Sequence, residues 1–114
     1  MTNKTINVVR DFHERPYGRY RNDAPGCEFT SGETFRQEVL APALKKFDFV
    51  TVDLTGYNRY GRSFLDEAFG GLIREEGFSS SELKSKLAYK HELVERIVDV
   101  IDERISAAIR DCEN

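Results

Sequence analysis

A chain of 114 residues, 39% apolar and 32% charged, is long enough to close one hydrophobic core and too apolar to stay disordered. Its formal net charge of -3 excludes a whole-molecule attraction to nucleic acid or acidic membranes. No run approaches a membrane span, the opening MTNKTINVVRDF has no signal-like apolar stretch, and Cys27 and Cys112 make no C-x-x-C pair. The expectation is a single cytoplasmic domain over residues 1–114 with two free thiols.

In chain order, residues 5–9 (TINVV) alternate as a first strand does. The next twenty residues are rich in Arg, Gly, Pro and Tyr, with a turn signal at Asn22-Asp23-Ala24-Pro25-Gly26. Tyr17–Arg21 and Cys27–Phe29 then form either a hairpin or an ordered loop. Thr30 or Ser31 caps a helix, Thr30 with Glu33 fitting the capping-box spacing. Phe35, Val39, Leu40, Ala43 and Leu44 give that helix its apolar face. Pro42, which has no N–H and clashes with the preceding turn, implies a kink or an end near residue 41.

Phe49, Val50, Val52 and Leu54 read as a buried strand that ends at Thr55-Gly56. After a loop closed by Gly61, Ser63 stands where a helix N-cap belongs, and Asp66 completes the S-x-x-[DE] box. Phe64, Leu65, Ala68, Phe69, Leu72 and Ile73 continue at helical spacing to a C-terminal Gly77. Residues 83–89 (LKSKLAY) alternate like a half-exposed edge strand guarded by lysines. From about His91 to Arg110, Val94, Ile97, Val98, Ile101, Ile105 and Ala108 make one stripe of a long amphipathic helix. The order strand, loop, helix, strand, helix, strand, helix points to an α/β fold, helices packed on a small mixed sheet.

The candidate chemistry centres on Ser63. A serine at a helix start lies near free backbone N–H groups and the positive end of the helix dipole, where a phosphate is stabilised. Arg59 and Arg62 are placed to receive that phosphate or to dock a kinase's nucleotide; as a cap alone, Ser63 would contribute about 1 kcal/mol. Asp66 and Glu67 are adjacent on a helix, so they diverge, and capping and solvation account for them. His13 and His91 lack partners at metal-ligand spacing, and no cofactor, metal or catalytic constellation is indicated.

Arg10, His13, Arg15, Tyr17, Arg19, Tyr20 and Arg21 set cations beside aromatics. That pattern fits either a nucleic-acid surface over Arg10–Arg21 or an ordinary edge hairpin. Gly70-Gly71 belongs to no phosphate loop and marks a place where another backbone comes close. Positions 94, 98, 101, 105 and 108 follow a four-three spacing, the spacing of a homodimer seam or of a face packed on the sheet.

The stretch VTVDLTGYNRYGRSFLDEAFGGL, residues 50–72, resembles the STAS-like domain family of unknown function, whose members carry V-x-x-D-(F/L)-x-G followed by S-S-F-x-D-E-A-F-G. Ser31-Gly32-Glu33-Thr34-Phe35-Arg36 matches the family's earlier S-G-E-x-F-R, so the likeness covers residues 30–110. The resemblance implies a distant relation to the STAS domains of anti-sigma factor antagonists. In those, a serine or threonine in a D-S-[ST]-G-L-G corner is phosphorylated by a kinase that is itself the anti-sigma factor. Aligning the helix glycine on Gly70 places Ser63 at the phosphoacceptor position, with Gly61, Arg62 and Phe64 where that pattern has an acid, a hydroxyl and a glycine. The implied function is a non-enzymatic regulatory domain that docks a histidine-kinase-like ATPase through this corner. Asn58, Arg59, Tyr60, Arg62, Phe64, Asp66 and Glu67 are the expected contact residues.

Overall fold

The computed structural model describes residues 2–113. Three strands, β1 (Asn3–Asn7), β2 (Phe49–Asp53) and β3 (Leu87–Lys90), form a sheet in the order β1-β2-β3 with both pairings parallel. The small sheet with packed helices agrees with the sequence reading, except that no antiparallel pair mixes it among the described residues. Register sets Ile6 opposite Val52, Val52 opposite Tyr89 and Val50 opposite Leu87. Because side chains alternate along a strand, those residues share one face, where Ile6, Val50 and Val52 are buried. Thr5, Thr51 and Ala88 lie on the opposite, half-exposed face. The helices therefore cover chiefly one side of the sheet.

β1 ends earlier than its alternation suggests. The Asn7 side chain accepts a hydrogen bond from the Arg10 N–H (3.0 Å) and opens a single helical turn, α1 (Val8–Asp11). The Arg/Tyr-rich segment is an ordered loop with no hairpin. Tyr17 N–H bonds to Thr30 O, and Gly32 N–H and Glu33 N–H bond to Gly18 O and Arg19 O. Cys27–Thr30 coil as the short helix α2. Ser31 then caps α3 (residues 32–46), accepting from Thr34 N–H; Thr30 instead donates its hydroxyl to Tyr17 O.

Pro42 does not end α3. The helix widens into a π turn over Arg36–Leu40, shown by Ala41 N–H reaching back to Arg36 O, and resumes as Ala41–Lys46 with the proline in its opening turn. A proline there removes only a donor that the change of hydrogen-bond register already displaces. A second helix, α4 (residues 62–74), carries a matching π turn over Asp66–Gly70.

Residues 83–89 are not one strand. Ser79 and Glu82 close a reciprocal capping box, 3.1 and 3.0 Å, that starts the helix α5 (Ser80–Lys86). Leu83 and Leu87, four apart, fit both periods, and the cap decides between them. Only Leu87–Lys90 join the sheet. The last helix, α6 (Glu95–Glu113), packs against α4 with Ile97, Ile101 and Ala108 buried. Of the two uses open to that stripe, packing within the domain takes Ile101 and Ala108, against α4 rather than the sheet. No helix of the described residues is long and apolar enough to cross a membrane. Cys27 is buried and Cys112 exposed, both as free thiols.

Candidate functional site

The core gathers where α3 and α4 cross. Phe35 stacks on Phe64 at 6.0 Å and lies 6.5 Å from Phe69, all three fully buried. Gly32 makes this crossing possible: a Cβ there would overlap the Phe64 carbonyl oxygen and stand 3.1 Å from Ala68 N. The two sequence motifs, one beginning at Ser31 and the other ending at Gly70, meet at this contact.

They also exchange charge. Asp66 and Glu67, read as solvated from their adjacency, are 7% and 5% exposed. Arg36, the last residue of the first motif and 2% exposed, donates from Nη1 to Glu67 Oε2 (2.5 Å) and Glu67 O (2.7 Å), and from Nε to Glu76 (3.1 Å). Asp66 accepts from Arg19 (2.5 Å) and Arg74 (3.0 Å), with Arg104 at 3.5 Å. Arg19 also stands 3.7 Å from Glu67. A buried carboxylate is tolerable only when paired in this way. The glycines belong to the same arrangement. A Cβ on Gly70 would lie 2.9 Å from Arg74 and 3.2 Å from the Arg104 carbonyl, and one on Gly71 would strike the Arg36 guanidinium. The close approach expected at Gly70-Gly71 is therefore made by arginines as well as by backbone.

Sequence spacing misses this network because its cations come from positions 19, 36, 74 and 104. A local signal did exist. Residues 64–73 contain nothing but apolar side chains and glycine apart from these two acids, a setting in which burial of the pair is the reading to weigh first.

Burial pushes the Asp66 carboxyl up, but the Arg19 bond and the nearby Arg74 outweigh it and hold the pKa below the ordinary 3.8. The unfolded chain then binds the proton more readily, so the Asp66 contribution is complete above pH 3.8 and is lost as pH falls through the lower folded value. Urea denaturation followed from neutral pH into acid is expected to show this as a falling midpoint. Asp66→Asn should start lower and fall less steeply; parallel pH profiles would remove Asp66 as the source.

The exposed part of the second motif is the corner before α4. Tyr60 is buried and donates its hydroxyl to Leu54 O (2.9 Å), and that burial raises its phenol pKa. His91 accepts at Nδ1 from the Leu93 and Val94 N–H groups, so its Nε2–H is free to donate to Tyr57 O (2.9 Å). Glu92 N–H bonds to Thr55 Oγ1. The corner is thereby tied to the start of α6, and His91 serves as a structural clamp.

The N-cap of α4 is Gly61, whose extended backbone suits the position but which offers no side-chain acceptor. Ser63, expected as the cap, is the second helical residue, exposed, and without a hydrogen bond from its hydroxyl among the described residues. Asp66 completes no capping box. Of the expected contact residues, Asn58, Arg59 and Arg62 are exposed, while Phe64, Asp66 and Glu67 are interior. A docking surface on the corner therefore excludes those three.

The Arg10–Arg21 segment is largely occupied. Arg10 pairs with Asp11, Arg19 with Asp66, and Arg21 with Glu38. Among the described residues no three His, Cys, Asp or Glu side chains gather as a metal site.

A parallel sheet with an exposed strand-to-helix corner, backed by the S-G-E-x-F-R and D-E-A-F-G segments locked together, defines a STAS-like α/β domain. Residues 31–93 match the STAS-like domain of unknown function (DUF4325), and the chain belongs to that family. No curated protein and no solved structure matches the chain.

Proposed function

We propose that this domain is a non-enzymatic regulatory module of the cytoplasm, resembling an anti-sigma factor antagonist. It docks a histidine-kinase-like ATPase through Asn58–Ser63, with phosphorylation of Ser63 as the release switch. One observation carries the reading: within the family motif, Ser63 and its flanking Gly61 and Arg62 are exposed, whereas everything from Phe64 to Leu72 is buried. A serine hydroxyl with no partner, in the first turn of a helix whose cap supplies no acceptor, is open to a kinase. A phosphate there would meet unsatisfied N–H groups and the positive helix end. The added charge would oppose a docked surface by desolvation and by repulsion from partner acids.

Ser63→Ala is expected to keep the binding of a co-purified ATPase, and Ser63→Asp to weaken it by about tenfold or more, roughly 1.4 kcal/mol. Titration of the purified partner by calorimetry, with intact-mass measurement of one added phosphate at Ser63, checks both halves. Equal affinities for the two variants would end the switch.

A further inference from the structure

The chain has two histidines, and one of them, His91, closes a set of contacts that a single protonation form can make. The residue is 6% exposed and lies between the end of β3 and the turn that opens α6. Its Nδ1 stands 3.1 Å from the Leu93 nitrogen and 3.0 Å from the Val94 nitrogen. Both are N–H donors, so Nδ1 offers a lone pair and carries no proton. Nε2, 2.9 Å from Tyr57 O, is then the protonated nitrogen, because a carbonyl only accepts. The imidazolium would keep the Tyr57 bond but set a new N–H against two existing ones.

These bonds join two parts of the fold. Tyr57 belongs to the corner that leads into α4; its ring meets Tyr60 edge-on at 5.1 Å, and Tyr60 meets the His91 ring the same way at 6.5 Å. Leu93 and Val94 immediately precede α6, and Val94 O accepts from Ile97 N–H (3.1 Å) to begin its first turn. The Leu93 and Val94 N–H groups have no other partner among the described residues. The imidazole therefore does what a serine or aspartate does at other helix starts. The positive end of α6 lies on the Nδ1 side and opposes a charge there.

The titratable and charged groups around the ring are Asp53 on β2, Tyr57 and Tyr60 on the corner, Lys90 on β3, and Glu92 next in the chain. Glu95 and Arg96 in the first turn of α6 are exposed. Tyr60 spends its hydroxyl on Leu54 O. Lys90 opposes a charged ring, whereas Asp53 and Glu92 favour one. Burial pushes the Asp53 carboxyl up, but the Thr55 bonds and the nearby Lys90 and His91 hold it below the ordinary 3.8. Glu92 is exposed and stands 3.9 Å from Lys90. Neither carboxylate bonds the ring among the described residues, so neither replaces the two contacts that a proton on Nδ1 removes.

We infer that His91 is a proton-sensitive latch: its neutral, Nε2-protonated ring ties the corner to the start of α6, and a proton on Nδ1 releases the Leu93 and Val94 N–H groups. The latch is closed in the neutral form, and it opens as pH falls through the titration of the ring. Imidazole is the side chain whose charge changes within mild acid, between about pH 5 and 8. The inference goes beyond the docking role proposed for the corner and is read without any partner, so each can fail alone.

The test is nitrogen NMR of the labelled domain from about pH 8 to about pH 5, in a His13→Gln background that leaves His91 as the one imidazole. At the alkaline end the ring nitrogens should report a bare Nδ1 and a protonated Nε2. As the ring takes up its second proton, the Leu93 and Val94 amides should lose at least about tenfold in exchange protection, corrected for the intrinsic pH dependence of exchange. His91→Asn offers a side-chain oxygen to the same two N–H groups and takes no proton, so its protection should not change with pH. His91→Ala should lose the protection at every pH. Four results would overturn the latch: a proton on Nδ1 at pH 8, no titration of the ring down to pH 5, unchanged protection of Leu93 and Val94 through that titration, or a His91→Asn profile that follows the parent. The first three are read on the parent protein and stand even where a variant at position 91 fails to fold.

Discussion

Arg36→Met is expected to remove about 3–5 kcal/mol of folding stability, the cost of stranding a buried charge, and so to consume much of the roughly 5–15 kcal/mol typical of a domain. The guanidinium is 2% exposed and holds together three parts of the chain: its own helix α3, Glu67 on α4 and Glu76 beyond the end of α4. Burial works against its charge, yet Glu67 and Glu76 more than offset that and raise its pKa above the ordinary value. Methionine keeps much of the aliphatic bulk but leaves the buried Glu67 without its bonded guanidinium, with Arg19 only at 3.7 Å. Arg36→Met with Glu67→Met, which removes the charge from both sides, should recover most of the loss. Urea denaturation at pH 7 of the two singles and the double closes the cycle. A single-variant loss under about 1 kcal/mol would mean that the pair is as solvated as a surface bridge.

Gly32→Ala should destabilise the domain by about 2–3 kcal/mol even though alanine is the better helix former by about 1 kcal/mol. Gly32 has no positive φ to protect; what it protects is space. The added methyl would meet the Phe64 carbonyl and stand 3.1 Å from both Ala68 N and Glu67 Cβ. The first two are backbone atoms of a packed helix, which cannot swing aside as a flexible side chain would. Relief requires α3 and α4 to separate, loosening Phe35 against Phe64 and lengthening the Arg36–Glu67 contact together. Gly61→Ala is the control. Its φ of -77° is ordinary and a Cβ there meets nothing within 4 Å, so that change should cost no more than about 1 kcal/mol, the loss of a glycine N-cap to alanine. Thermal melts of the two variants side by side test the contrast, and a Gly32→Ala melt matching Gly61→Ala would refute the close crossing.

Elements governed by neighbours in the chain were legible. The strand Phe49–Asp53 followed from its apolar run, and the start of α3 to within one residue from the Thr30-Ser31 pair before its apolar stripe, with Ser31 the actual cap. The long α6 followed from a stripe that no strand could keep. Where two local readings competed, the more specific hydrogen bond won. The Ser79–Glu82 box made a helix of residues that alternated like a strand, and Asn7 capped a turn where Val8 and Val9 promised more strand.

The sequence by itself determined the α/β class, the family motifs and the position of the corner that carries Ser63, because periodicity and capping act over a few residues and leave a mark at that spacing. Only the tertiary structure decided that Ser63 lies inside the first helical turn, that Gly61 is the cap, and that Asp66 and Glu67 are interior. It also decided that Arg19 belongs to Asp66 and is not a free surface cation. The reason is range: a charge pair is set by distance in space, and Arg19 lies 47 residues from Asp66 and Arg36 lies 31 from Glu67. Two adjacent carboxylates look alike in sequence whether water or guanidinium surrounds them, and only the crossing of α3 and α4 at Gly32 brings the guanidinium there.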